Sequence, residues 1–356
     1  MLIVMLPVLF FRNRGGLMCS CLLTAVLLAM RCDLGDYARY YETWKIIRLT
    51  DWDELTDDHS IFYFLLRQSD LHSEYGFLFL QKFFPYNFLW LIALISFIQM
   101  AAFYLLISEY VDEKYYPLAM LLALDPIILL VNASAIRQVL ALAFLIFSVH
   151  LLLREKFIAS LLLILAGSFF HKSVIVLIIL FVPYLLLKKG KYRLLIAAII
   201  ASTVVLAFSA GALVTQFDFY SEYIEYNMSS SRLIMSVLLL IPIILSLQDI
   251  SKGDIKIRFI TMIYSLIICC RVLCLLPNLS MLNRYTLYFD AFSVVALPMV
   301  IKRKPNWRTL ICIFCVSYVA ARSIVFFINP LFIGETTIDF TRQNIFVSGQ
   351  YFIADY

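Results

Sequence analysis

The chain has 356 residues, 63% of them hydrophobic and only 15% charged, with a mean hydropathy of +0.91. A soluble protein of this length carries about 25% charged residues, so a water-exposed globule is excluded. The net charge of +5 does not indicate nucleic acid, because the basic residues sit in short clusters between apolar runs, which is how membrane topology is written.

In chain order the apolar runs cover residues 1–11, 16–30, 86–108, 117–131, 136–153, 157–170, 174–187, 194–213, 233–247, 259–276, 286–301 and 309–328. They predict an all-α, polytopic membrane bundle of about ten to twelve helices, forming a single domain over 1–356. Several runs fall short of the ~20 residues that span a bilayer, which they reach by tilting or by extending into flanking Tyr, Ser and Lys. The first run is too short to span comfortably. Cys19, Cys21, Cys269, Cys270, Cys274, Cys312 and Cys315 lie inside these runs and read as small packing residues; only Cys32 falls in a polar segment.

Orientation follows from the loops. With Arg12 and Arg14 on the cytoplasmic side, strict alternation makes 109–116, 154–156, 188–193, 248–258 and 302–308 cytoplasmic. Each is short and carries at least one Lys or Arg, as a cytoplasmic loop should. The opposite side receives the long polar segment 31–85, a second at 215–232 and the tail from Asn329. The long segment predicts an interfacial helix with Tyr40, Trp44, Ile47, Ile61, Phe62 and Leu65 as apolar contacts.

That outer side carries basic residues against the usual bias. Arg137, His171 with Lys172, Arg232, Arg271 (mid-run), Arg284 and Arg322 all fall in the outer half of the membrane on this topology. A charge at membrane depth costs on the order of 2.5–3.5 kcal/mol by insertion scales, so it needs a partner. Snorkelling or pairing with an acid explains any one of them. Their number on one side points further, to an anionic ligand at the membrane surface, because the guanidinium fork matches phosphate oxygens. Bound anionic lipid is the milder reading. Acids share that side: Asp33, Asp36, Glu74, Asp218, Glu222, Glu225 and Asp290. An acid in a partly dry cleft serves as a general base, although loop acids are more often solvated surface. His171 sits in a turn of few residues between two apolar runs, where either a buried packing role or a proton-transfer role fits.

Five short elements recur in a fixed order: Asp36-Tyr37-x-x-Tyr40, Glu74-Tyr75-Gly76-Phe77, Ile136-Arg137-Gln138 followed by Ala141, Phe170-His171-Lys172-Ser173, and Arg284-Tyr285. Together they resemble the EpsG-like, Wzy-type family of bacterial polysaccharide polymerases, over residues 31–290. Tyr75 departs from the pattern, where the family often has Pro. The resemblance implies a glycosyltransferase-type enzyme that joins undecaprenyl-diphosphate-linked oligosaccharide repeats at the periplasmic face of the bacterial inner membrane. Its product is O antigen of lipopolysaccharide, capsule or exopolysaccharide. It implies Glu74, His171 and Asp36 as catalytic candidates. The diphosphate- and glycan-binding candidates are Arg137, Gln138, Arg284, Tyr285, Arg232, Arg271, Tyr37, Tyr40, Lys172 and Ser173. No metal or cofactor is expected. Expected partners are the lipid-linked substrates and membrane lipids, with a chain-length regulator and a flippase as protein partners and no nucleic acid. A lipid-linked oligosaccharide flippase or a non-catalytic part of the export machinery are the alternatives. A flippase should show inverted repeats or matched broken helices, and none is apparent.

Overall fold

A computed structural model describes residues 2–30, 37–53, 75–125, 135–190, 254–273, 282–303 and 305–328, with a few isolated positions besides. Among these residues the protein is all-helical. Among the described residues, two helices are long and apolar enough to cross a membrane, Phe88–Tyr110 and Ile136–Leu153.

The elements are α1 (Leu2–Phe10), α2 (Arg14–Ala29), α3 (Tyr37–Leu49), α4 (Tyr75–Phe83), α5 (Phe88–Tyr110), α6 (Tyr116–Ala123), α7 (Ile136–Leu153) and α8 (Phe157–Phe170). There follow a 3-10 segment (Lys172–Leu180), α9 (Phe181–Lys188), α10 (Ile255–Leu273), α11 (Leu282–Asp290), α12 (Ser293–Arg303) and α13 (Arg308–Ile328). Among the described residues, most apolar runs coincide with a helix; the runs at 194–213 and 233–247 lie almost wholly outside them. Two described runs are broken. The 117–131 run stops as helix at Ala123, because Asp125 precedes Pro126 and a residue before proline is pushed out of the α region. The 286–301 run divides into α11 and α12 around a turn at Ala291 and Phe292. The 174–187 run begins as nine residues of 3-10 helix, longer than that form usually extends.

Helix α7 packs on α8 as a tight antiparallel pair. The turn between them is a Schellman cap: the Lys156 amide donates to the Leu151 carbonyl and the Glu155 amide to the Leu152 carbonyl, both at 2.9 Å. Glu155 takes the left-handed position, with φ 62°, where glycine is usual. Within the pair Ser148 and Ser160 exchange hydrogen bonds, each Oγ donating to the other's carbonyl at 2.8 Å. Reciprocal bonds of this kind suit a lipid-embedded interface, where apolar burial drives little helix association. Farther along, a Cβ on Gly167 would stand 3.0 Å from the Phe144 Cβ, so glycine permits the close approach.

The charged loops converge on one end of the bundle. Arg154 pairs with Glu109 at 3.0 Å, Lys188 with Glu155 at 2.6 Å and Lys302 with Asp112 at 3.0 Å. The Glu155 carboxylate accepts a hydrogen bond from Lys188 and holds its ammonium above the usual lysine range. Arg14 reaches the Ser108 carbonyl, and Arg308 and Lys114 lie over the Tyr115 ring. Exposed pairs add little stability, so their weight here is geometric rather than energetic. They join loops 109–116, 154–156, 188–193 and 302–308, all assigned from sequence to one side. The loop at 248–258 lies mostly outside the described residues.

The core has two parts. A large cluster gathers α1, α2, α6, α10, α12 and α13 with the charged-end halves of α5 and α7. A smaller one holds Tyr40, Trp44 and Ile47 of α3, Phe77 and Leu78 of α4, the Phe88–Ile95 stretch of α5 and the start of α7. Tyr40, Trp44 and Ile47 are therefore buried against protein, not spread on a membrane surface as the sequence suggests. Their i, i+4, i+7 spacing makes one helix stripe, and α4 and α5 cover it. Ile61, Phe62 and Leu65 lie outside the described residues.

Candidate functional site

At the end remote from the charged loops, the five sequence elements, or the helices that carry them, come together. Helix α3 is fixed to α4 by polar contacts from both termini. The Gln81 Nε2 donates to the Tyr40 carbonyl at 3.2 Å, and the Lys82 ammonium caps the last carbonyls of α3, at Ile47, Arg48 and Thr50. A cation there complements the negative helix terminus. The Trp44 indole donates to the Phe84 carbonyl at 2.8 Å, and Tyr40 meets Phe77 edge-on at 5.3 Å.

Gly76 makes the next join. A Cβ on it would fall 2.7 Å from the Phe169 carbonyl oxygen and 2.9 Å from the Phe169 carbonyl carbon. No L side chain fits against backbone at that distance, so glycine lets α4 touch the end of α8. The second element is thus seated on the residue that precedes the fourth.

Arg137 lies in the first turn of α7. Its Nε donates to the Tyr40 hydroxyl at 3.0 Å, and the guanidinium carbon stands 5.3 Å from the ring centre. The first and third elements, 97 residues apart, are therefore in contact. The helix starts after Ala135, which makes no side-chain cap bond. Gln138, one residue on, is buried.

His171 ends α8 and opens the 3-10 segment. Its amide donates to Gly167 and its carbonyl accepts from Val174, which fixes the turn. Phe170 stacks on Phe144 of α7 at 5.4 Å. His171 and Ser173 are buried, whereas Lys172 between them is exposed. The Ser173 and Tyr288 hydroxyls are hydrogen-bonded at 2.8 Å. Tyr288 belongs to α11, which also carries Arg284, Tyr285 and Asp290. Tyr285, Tyr288 and Asp290 are buried. That bond brings the fifth element to the fourth.

Of the candidates named from sequence, Tyr40, Arg137, His171 and Ser173 are tied into this assembly, and Gln138 and Tyr285 are buried within its helices. Lys172 is at the surface of the turn. Tyr37, Arg271 and Arg284 are placed on helices α3, α10 and α11. Asp36, Glu74 and Arg232 lie outside the described residues. The sequence reading did not single out Gln81, Tyr288, Asp125 or Gln99. Asp125 is only 1% exposed, with Oδ1 accepting from the Ile128 amide. Gln99 is 2% exposed in the middle of α5, and neither amide atom has a hydrogen-bond partner among the described residues. For Asp125 and Gln99 a signal was present, since each interrupts an apolar run.

A family model for the EpsG family matches residues 17–336. The chain belongs to the EpsG family. This is the family of Wzy-like polysaccharide polymerases, so the EpsG-family chain is a membrane protein with a polymerase-type role in polysaccharide synthesis. The match spans all five sequence elements, including those outside the described residues. Searches of curated proteins and of solved structures returned no match.

Proposed function

We propose that this EpsG-family protein is a multi-pass inner-membrane glycosyltransferase that polymerises undecaprenyl-diphosphate-linked oligosaccharide repeats on the periplasmic side. The observation that carries the reading is Arg137 at the start of α7, held by Tyr40, where the elements bearing Gly76, His171 and Tyr288 also converge. The site lies at the end away from the basic loops, which is the outer end if those loops are cytoplasmic.

In the reaction, the hydroxyl oxygen of an acceptor sugar bonds to the anomeric carbon of the growing chain. The bond from that carbon to the diphosphate oxygen breaks, and the lipid diphosphate leaves with the electron pair. Charge develops on phosphate oxygens, and preplaced donors stabilise it without reorganising. Arg137 supplies such a donor. Arg284, Arg232 and Arg271 are further diphosphate ligands, and Gln138, Tyr37, Lys172 and Tyr285 contact glycan or phosphate. The acceptor proton goes to Glu74, Asp36 or His171. His171 is buried at the junction of α8 with the turn that Tyr288 holds, which favours a role in proton transfer or in orienting a phosphate oxygen. The chemistry uses no metal. Chain-length regulator and flippase proteins are the expected partners, and the product is an O antigen, capsule or exopolysaccharide.

The test is a deletion strain complemented with His171→Gln and Arg137→Ala, with glycan ladders and membrane protein levels measured together. Single-repeat glycan on the surface at normal protein level supports a polymerase. Complete absence of surface glycan indicates a flippase, and full ladders from both variants remove the site.

A further inference from the structure

We propose that Tyr288 is a positioning residue of the polymerase site, setting the His171 turn against the helix that carries Arg284. The inference rests on the polymerase reading and adds a residue outside the five sequence elements. Ser173, expected from sequence to contact substrate, has its Oγ 2.8 Å from the Tyr288 hydroxyl. Both residues are buried, Tyr288 completely. In the low dielectric of the protein interior a hydrogen bond is stronger than in water, and losing one partner is costly. The residues are 115 positions apart and come from separate helical segments.

The placement gives the bond its consequence. On one side, Ser173 is two residues from His171, whose amide and carbonyl are already bound to Gly167 and Val174. The turn therefore moves as a unit with Ser173. On the other side, Tyr288 is one helical turn beyond Arg284 in α11. The hydroxyl bond thus fixes the separation between the turn and that helix. If the turn handles the acceptor proton and α11 the diphosphate, this separation is the distance across which the reacting groups must align. A misplacement of about 1 Å can cost ~10²-fold in rate.

The test uses the full-length protein in lipid vesicles with lipid-linked repeat units extracted from a polymerase-deletion strain. Tyr288→Phe, Ser173→Ala and the double variant are compared with wild type, and thermal unfolding is followed in parallel. Tyr288→Phe keeps the ring and removes only the hydroxyl. The expected result is a kcat at least about tenfold lower in each single variant, with KM within about twofold. The double variant should be no worse than the poorer single one, because both remove the same bond. Wild-type kcat in Tyr288→Phe, or losses that multiply in the double variant, overturns the positioning role. So does a slowed variant whose unfolding midpoint falls and whose kcat recovers on cooling. Failure of wild type itself to extend the glycan overturns the polymerase reading, and the positioning role with it.

Discussion

Arg137 donates from Nε to the hydroxyl of Tyr40 at 3.0 Å. The bond engages the inner nitrogen of the guanidinium. Tyr40 is itself only 2% exposed, and Gln81 holds its carbonyl. The arginine is thus aimed by a residue that the protein interior immobilises.

Replacement of Arg137 should therefore be more damaging than loss of its support. Arg137→Ala is expected to abolish long glycan chains, and Arg137→Lys to restore them only partly, since an ammonium lacks the bidentate fork. Tyr40→Phe, which deletes one hydrogen bond of about 1–2 kcal/mol, should shorten chains without abolishing them. Glycan ladders at matched protein levels separate the three outcomes. Equal ladders for Arg137→Ala and wild type would contradict the diphosphate role.

Gly76→Ala tests the seating of α4 on α8. Its methyl group would overlap the Phe169 backbone, which cannot turn aside as a side chain can. The two helices must separate, at a cost of about 1–3 kcal/mol. Polymer should be lost or strongly reduced, and thermal unfolding in detergent should begin earlier. An unchanged unfolding midpoint would mean that the contact is looser than the structure shows.

Gln99→Leu is expected to behave in the opposite way. A buried amide with no partner among the described residues costs about 1–3 kcal/mol, and leucine fills a similar volume without polar atoms. The unfolding midpoint should stay level or rise, with polymer of normal length. Loss of polymer at unchanged protein level would instead place a substrate group against Gln99.

The two ends of the bundle should face opposite sides of the membrane. Reporters fused after Lys189 and after Tyr86 are expected to give opposite signals, with Lys189 cytoplasmic. Tyr86 is almost fully exposed at the start of α5, and Lys189 follows the Lys188–Glu155 pair. The same signal from both fusions would refute the arrangement.

The sequence by itself determined where most helices run and which loops share an end. Lipid leaves no water for backbone groups, so an apolar run crossing it is compelled to be helical whatever surrounds it. Basic loops mark one side for an equally local reason, and Arg154, Lys188 and Lys302 indeed meet acids at a common end. The order of the five elements also carried the family. What the tertiary structure decided is which residue serves which. Tyr40 and Ser173 read alike in the sequence as polar groups for a substrate, yet one holds Arg137 and the other bonds Tyr288. The Tyr40, Trp44 and Ile47 stripe turned to the protein rather than to the membrane surface. These outcomes depend on how helices rotate and slide against one another, which is set by close approaches such as Gly76 on Phe169 and Gly167 on Phe144. Spacing along the chain reports the face of a helix but not its neighbour, so contacts between residues 97 or 115 positions apart exist only once the bundle has packed.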